Sequence, residues 1–261
     1  MSNHLDPRVI EATPEPAPAV FWRLAVPNMV TLAALGSGLT ALKFAGDGLF
    51  MSAIACILIA AVLDGLDGRV ARAMGCNSKF GAELDSLADV ICFGAVPAYM
   101  IYQAALSDYG NLGWMACLAY AAACAIRLAR FNVMASAPNQ PAWQSHYFTG
   151  IPAPAAAFLS LAPLYAMFGD LLTPGEAARF ALVWLPVVAG LMVSTWPTFS
   201  SKSLTRKALR LFFVPTLMAS VVLITGLYIA PWATLTACCS FYVFSLPISK
   251  RRFDRQSLRN G

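Results

Sequence analysis

Residues 50–89 read FMSAIACILIAAVLDGLDGRVARAMGCNSKFGAELDSLAD. An uncharged apolar run from Phe50 to Leu63 ends in Asp64 and Asp67. A short polar connection follows, and a second apolar run, from about residue 84 to 106, begins with Asp85 and Asp89. Runs of about 20 apolar residues match the thickness of a bilayer core, so this stretch is expected to be a hairpin of two spanning helices with acids gathered at one end. The rest of the chain agrees. Of its 261 residues 59% are apolar and only 12% charged, with a mean hydropathy of +0.64. An ordinary soluble domain carries about 25% charge. Half that cannot cover a globular surface, so most of the surface must face lipid.

Apolar runs near 28–46, 50–69, 84–106, 112–134, 150–169, 178–195, 211–229 and 231–248 predict an all-α, polytopic membrane bundle of about eight helices. The last two runs meet at Ala230-Pro231 and should form a tight hairpin. Residues 1–19 are expected to be a disordered cytoplasmic tail, 20–248 the membrane domain and 249–261 a basic cytoplasmic tail. Val20 to Val26, with Trp22 and Arg23, fits either a short interfacial helix or a plain aromatic anchor. If the N-terminus is inside, only Lys43 and Arg179 of the 18 Lys and Arg fall on the far side. This bias places both termini in the cytoplasm. The net charge of +5 therefore records topology rather than nucleic-acid binding. The seven cysteines show neither metal-ligand spacing nor a secreted-scaffold pattern and read as small apolar filler.

The acids carry the functional information. Asp64 and Asp67 are three apart and Asp85 and Asp89 four apart, so each pair lies on one face of its helix. In antiparallel neighbours both pairs can face a common point. An Asp within a span costs about 2.5–3.5 kcal/mol on insertion scales, an expense that packing alone rarely explains. Four carboxylates suit a hard cation, Mg²⁺ or Mn²⁺, one or two per site, and such a centre can grip a phosphate or pyrophosphate. Composition and spacing leave two other readings open, a cation or proton relay in a transporter and solvated helix ends.

Read in order, Asp64-Gly-Leu-Asp67-Gly68-Arg-Val-Ala71-Arg72, eight residues, then Gly81-Ala-Glu-Leu-Asp85-Ser-Leu-Ala-Asp89 resembles the signature of the CDP-alcohol phosphatidyltransferases at every fixed position. The resemblance implies a six-helix core spanning about residues 27–210, usually homodimeric, with a polar cavity open to the cytoplasm. It implies that Asp64, Asp67, Asp85 and Asp89 lie at the metal centre, with Asp89 as general base. Asp64, Asp67, Gly68, Ala71, Arg72, Ser78, Gly81 and Asp85 fall where the family holds its CDP-linked donor. Looser strings resemble the membrane-bound phosphatidylserine synthases of bacteria and archaea: Pro27-Asn28-Met-Val-Thr31, Phe93-Gly94-Ala-Val-Pro97, Arg127-Leu-Ala-Arg130-Phe131-Asn132, Phe148-Thr-Gly150-Ile-Pro152-Ala-Pro154 and Pro197-Thr-Phe-Ser200 with Lys202. These imply transfer of a phosphatidyl group from CDP-diacylglycerol to L-serine in the cell (inner) membrane, with a cytoplasmic active site. Arg127, Arg130 and Lys202 are candidates for binding the serine carboxylate or the lipid-linked phosphate; snorkelling to the headgroups is their other reading. A sibling enzyme would take glycerol 3-phosphate or an inositol phosphate, acceptors that need a denser basic cluster.

Overall fold

The computed structural model describes residues 17–75, 78–135, 147–194, 197–199 and 213–260. They are almost entirely helical, and four stretches are long and apolar enough to cross a bilayer: Ala25–Gly46, Phe50–Ala73, Lys79–Met134 and Pro174–Val193.

Helices α1 (Ala17–Gly46) and α2 (Phe50–Ala73) pack along their length as a hairpin. Its turn places Gly48 at φ +76°, a conformation that side-chain-bearing residues resist. Residues 20–26 continue the helix of the first span without interruption. Close packing in α1 follows from a buried stripe at three- and four-residue spacing: Thr31, Ala34, Gly38, Ala41 and Ala45. Small residues let neighbouring backbones approach, as interfaces between membrane helices require. A Cβ on Gly38 would lie within van der Waals overlap of the Cys92 sulfur. On α2 the inward stripe is Ala53, Ile57 and Ala60, and it continues at the same spacing through Asp64 to the buried Asp67. The acids therefore extend a packing face.

From Lys79 the chain runs as α3 (Lys79–Asp89), a π-helical turn (Val90–Ala95), α4 (Val96–Ile101), a second π-helical turn (Tyr102–Leu106) and a 3-10 turn (Ser107–Tyr109) into α5 (Gly110–Ala135). As one rod, the 56 residues of Lys79–Met134 would measure about 84 Å at 1.5 Å per residue, far beyond the ~30 Å bilayer core. The chain reverses instead at Gly110, whose φ is +50°, and α5 packs back on the first π-helical turn and on α4. The stretch is thus two packed helical limbs rather than one rod.

The fifth apolar run divides into α6 (Ala153–Ser160) and α7 (Ala162–Phe168). Helix α8 (Pro174–Val193) opens on a capping box between Thr173 and Glu176 and packs against α5. Strands β1 (Tyr147–Thr149) and β2 (Pro197–Phe199) pair antiparallel, Phe148 opposite Thr198. They are the only strands among the described residues. Helix α9 (Phe213–Ile229) and α10 (Pro231–Asn260) meet in the expected tight hairpin, and α10 runs on through the basic tail as helix. The core gathers Phe93, Met100, Tyr120, Leu159, Tyr165 and Leu185 between α4, α5, α6, α7 and α8.

Candidate active site

The end of α2 and the start of α3 bring the aspartates together. Ligand oxygens of Asp64, Asp67 and Asp85 all lie within 4.8 Å of one another. Asp89 stands one turn beyond Asp85 and outside that set, with its carboxyl group against that of Asp64, while those of Asp67 and Asp85 meet likewise. None of the four forms an ion pair among the described residues. Such a group is strongly self-repelling unless a cation sits within it, and an all-oxygen donor set fits a hard divalent ion. Asp67 is held from α1: the buried Thr31 hydroxyl donates to its Oδ2 at 2.7 Å.

A cleft of about 250 Å³ adjoins the carboxylates, lined by Pro27, Asn28, Thr31 and Ala82 together with Asp67, Gly68, Ala71, Arg72, Ser78, Gly81 and Asp85. The motif residues that the sequence places around the donor, Asp64 apart, thus share one wall-to-wall cavity. Local chemistry explains its shape. Ser78 caps α3, accepting from the Gly81 N–H at 2.9 Å. A Cβ on Gly81 would lie 3.0 Å from both Asn28 Oδ1 and Ser78 Oγ, so the bare backbone keeps the cleft open. Arg72 is exposed at its mouth. Asn28 and Thr31 were visible in sequence only as part of the string opening the first span. Their role beside Asp67 comes from a contact 36 residues apart in the chain, which no local pattern announces.

The two arginines that end α5 are equivalent in sequence and not in space. Arg130 lies on the α8 terminus, its Nη1 donating to the Val193 carbonyl at 2.6 Å and its Nη2 to Ser194 at 3.1 Å. Arg127 is only 8% exposed, and its Nε has no hydrogen-bond partner among the described residues. It lies within electrostatic range of Asp64 and Asp89 yet makes no ion pair with either. A buried guanidinium left unpaired is costly. Asn132, two residues beyond Arg130, exchanges hydrogen bonds with Ser86 at 2.9 and 3.2 Å, tying α5 to the aspartate-bearing α3. Lys202, the third basic candidate, lies outside the described residues.

The sequence matches the CDP-alcohol phosphatidyltransferase family over residues 24–194, more than half the chain. It is 44% identical over 147 residues to the CDP-diacylglycerol–serine O-phosphatidyltransferase of Mycobacterium bovis, covering 56% of this chain and 51% of the relative. To the protein of the same name from Helicobacter pylori strain 26695 it is 32% identical over 203 residues, 77% of this chain and 82% of that one. The archaetidylserine synthase of Methanothermobacter thermautotrophicus is 35% identical over 136 residues, 51% and 55% of the two chains. The chain spans about half the length of the mycobacterial relatives it matches.

Proposed function

Because the chain belongs to the CDP-alcohol phosphatidyltransferase family, we propose that it transfers the phosphatidyl group of CDP-diacylglycerol to the hydroxyl of L-serine, giving phosphatidylserine and CMP. The observation that carries this reading is the junction of the aspartate cluster with a cleft lined by Gly68, Ala71, Arg72, Ser78 and Gly81. The donor's CDP portion lies in that cleft, with Arg72 at its phosphates. Asp64, Asp67 and Asp85 hold divalent metal, Mg²⁺ or Mn²⁺, with Asp89 beside them at the same centre. The bound metal supplies Lewis-acid stabilisation of the charge that develops on the pyrophosphate. Asp89 takes the proton from the serine hydroxyl as its oxygen bonds to the lipid-linked phosphorus and the bond to CMP breaks. Its place one turn past Asp85, and outside the set of three, supports a separate duty.

Arg127 holds the serine carboxylate. Its orphaned Nε beside the aspartates supports that role, and the engagement of Arg130 with Val193 and Ser194 favours an acceptor with one carboxylate over one with a phosphate. Lys202 is assigned to the same anionic group on sequence alone. The enzyme lies in the cell membrane as a homodimer of eight-span chains, its membrane domain covering residues 20–248 and its six-helix core residues 27–210. Both termini and the site are cytoplasmic. A transporter would need carboxylates reachable from both faces, whereas all four lie at one end of the bundle.

The test is direct. Purified protein is given CDP-diacylglycerol, Mn²⁺ and radiolabelled serine, with glycerol 3-phosphate and inositol phosphate in parallel. Label in lipid and release of CMP with serine alone is the expected result. CMP release with a phosphate-bearing acceptor instead would move the reading to a sibling enzyme, and none with any acceptor would overturn it.

A further inference from the structure

The helix carrying Asp85 and Asp89 does not continue as a regular α-helix. The π-helical turn Val90–Ala95 begins one residue after Asp89, with the Val96 N–H reaching back to the Ile91 carbonyl. Its cause is legible. In an α-helix the Phe93 carbonyl would accept from residue 97, and residue 97 is proline, which has no N–H and whose ring crowds that carbonyl. The Tyr120 hydroxyl, on α5, donates to the Phe93 carbonyl at 2.7 Å. Tyr120 is wholly buried and Phe93 nearly so. Gly94 lets α5 come this close, since a Cβ there would lie 3.1 Å from Cys124 Cβ.

We propose that Tyr120 is a positioning residue for Asp89 and Asp85, acting through the π-helical turn. An extra residue in one turn rotates everything before it by about 100° relative to everything after it. The part after it is anchored in the core by Val96, Met100 and Ile101. The turn therefore sets the direction in which the α3 carboxylates point, and the Tyr120 hydroxyl holds the carbonyl around which it forms. The inference rests on the reading of Asp89 as base for its effect on turnover, but not for its effect on the carboxylate cluster.

The experiment measures Mn²⁺ binding by electron paramagnetic resonance, thermal unfolding and CMP release on purified wild type, Tyr120→Phe, and Tyr120→Phe combined with Pro97→Ala. The alanine returns a backbone N–H to serve the Phe93 carbonyl and removes the proline that imposes the π-helical turn. Tyr120→Phe is expected to weaken Mn²⁺ binding and lower kcat by about tenfold each, with the KM for CDP-diacylglycerol within about twofold. The double variant should regain thermal stability but not Mn²⁺ affinity. Wild-type Mn²⁺ affinity in Tyr120→Phe, or recovery of both properties in the double variant, would overturn the proposal by reducing Tyr120 to a carbonyl cap. If Tyr120→Phe does not fold, the double variant carries the measurement by the same criteria. Wild type that binds Mn²⁺ but releases no CMP, with binding weakened in Tyr120→Phe, sinks the serine-transfer reading and leaves the positioning role supported.

Discussion

Among the described residues, helices break at Pro97 and at Pro163, and an aromatic side chain answers each in the same way. At Pro97 the carbonyl four residues back, Phe93, accepts from the Tyr120 hydroxyl at 2.7 Å. At Pro163 the carbonyl four residues back, Leu159, accepts from the Trp184 indole N–H at 2.7 Å. The first break produces a π-helical turn directly after Asp89; the second simply divides α6 from α7 at Leu161. Where water is absent a freed carbonyl must find a donor inside the protein, so both repairs are needed for stability. Only one of them lies between the core and a set of reacting groups. The same local device is thus expected to govern aim at one place and fold stability alone at the other.

The largest effect tests the residue on which that contrast depends. Asp89→Asn keeps shape and size but removes the proposed base, and kcat should fall by about 10²–10⁴-fold. Mn²⁺ binding through Asp64, Asp67 and Asp85 should be retained in part, which calorimetry on the purified variant can measure. Full activity in Asp89→Asn would leave the π-helical turn with nothing to aim. Next comes the anion-binding side of the same end. Arg127→Gln should raise the KM for serine by about 10–100-fold, the cost of one charge-assisted contact, with the KM for CDP-diacylglycerol little changed. Arg130→Met should do the opposite, leaving the serine KM alone while lowering thermal stability by about 0.5–1.5 kcal/mol as the Val193 and Ser194 carbonyls lose their donors. A higher serine KM for Arg130→Met would show that the two arginines share the acceptor.

Much of this was readable before any coordinates. The all-helical character is legible in the apolar runs, and the turn at Ala230-Pro231 is as tight as the proline predicts. Asp64 and Asp67 proved to extend the buried stripe of α2, as a three-residue spacing requires. The cleft gathered most of the residues assigned to the donor because they belong to one short hairpin, whose geometry is set locally. What stayed hidden depends on contacts distant in sequence. The bond from Thr31 to Asp67, the difference between Arg127 and Arg130, and the partners of Phe93 and Leu159 each join helices that local periodicity cannot register against one another. Nor does local sequence tell why helices break at Pro97 and Pro163 but run on through Pro27, Pro186 and Pro247.

The smallest expected effect is at the second break, and it decides whether the contrast is real. Trp184→Phe removes the donor to the Leu159 carbonyl while keeping an aromatic ring beside Phe180, which it contacts at 5.4 Å between centroids. The Leu159 carbonyl is then left without its side-chain donor, and losing a buried partner costs about 1–3 kcal/mol. Thermal unfolding in detergent should register that loss. The kcat, both KM values and the Mn²⁺ affinity should stay within about twofold of wild type, because α6, α7 and Trp184 carry none of the site's groups. A tenfold fall in kcat or in Mn²⁺ affinity for Trp184→Phe would mean that any loosening of this bundle disturbs the carboxylates. The effect of Tyr120→Phe would then reflect general fragility, and the turn after Asp89 would have no special claim to aiming it.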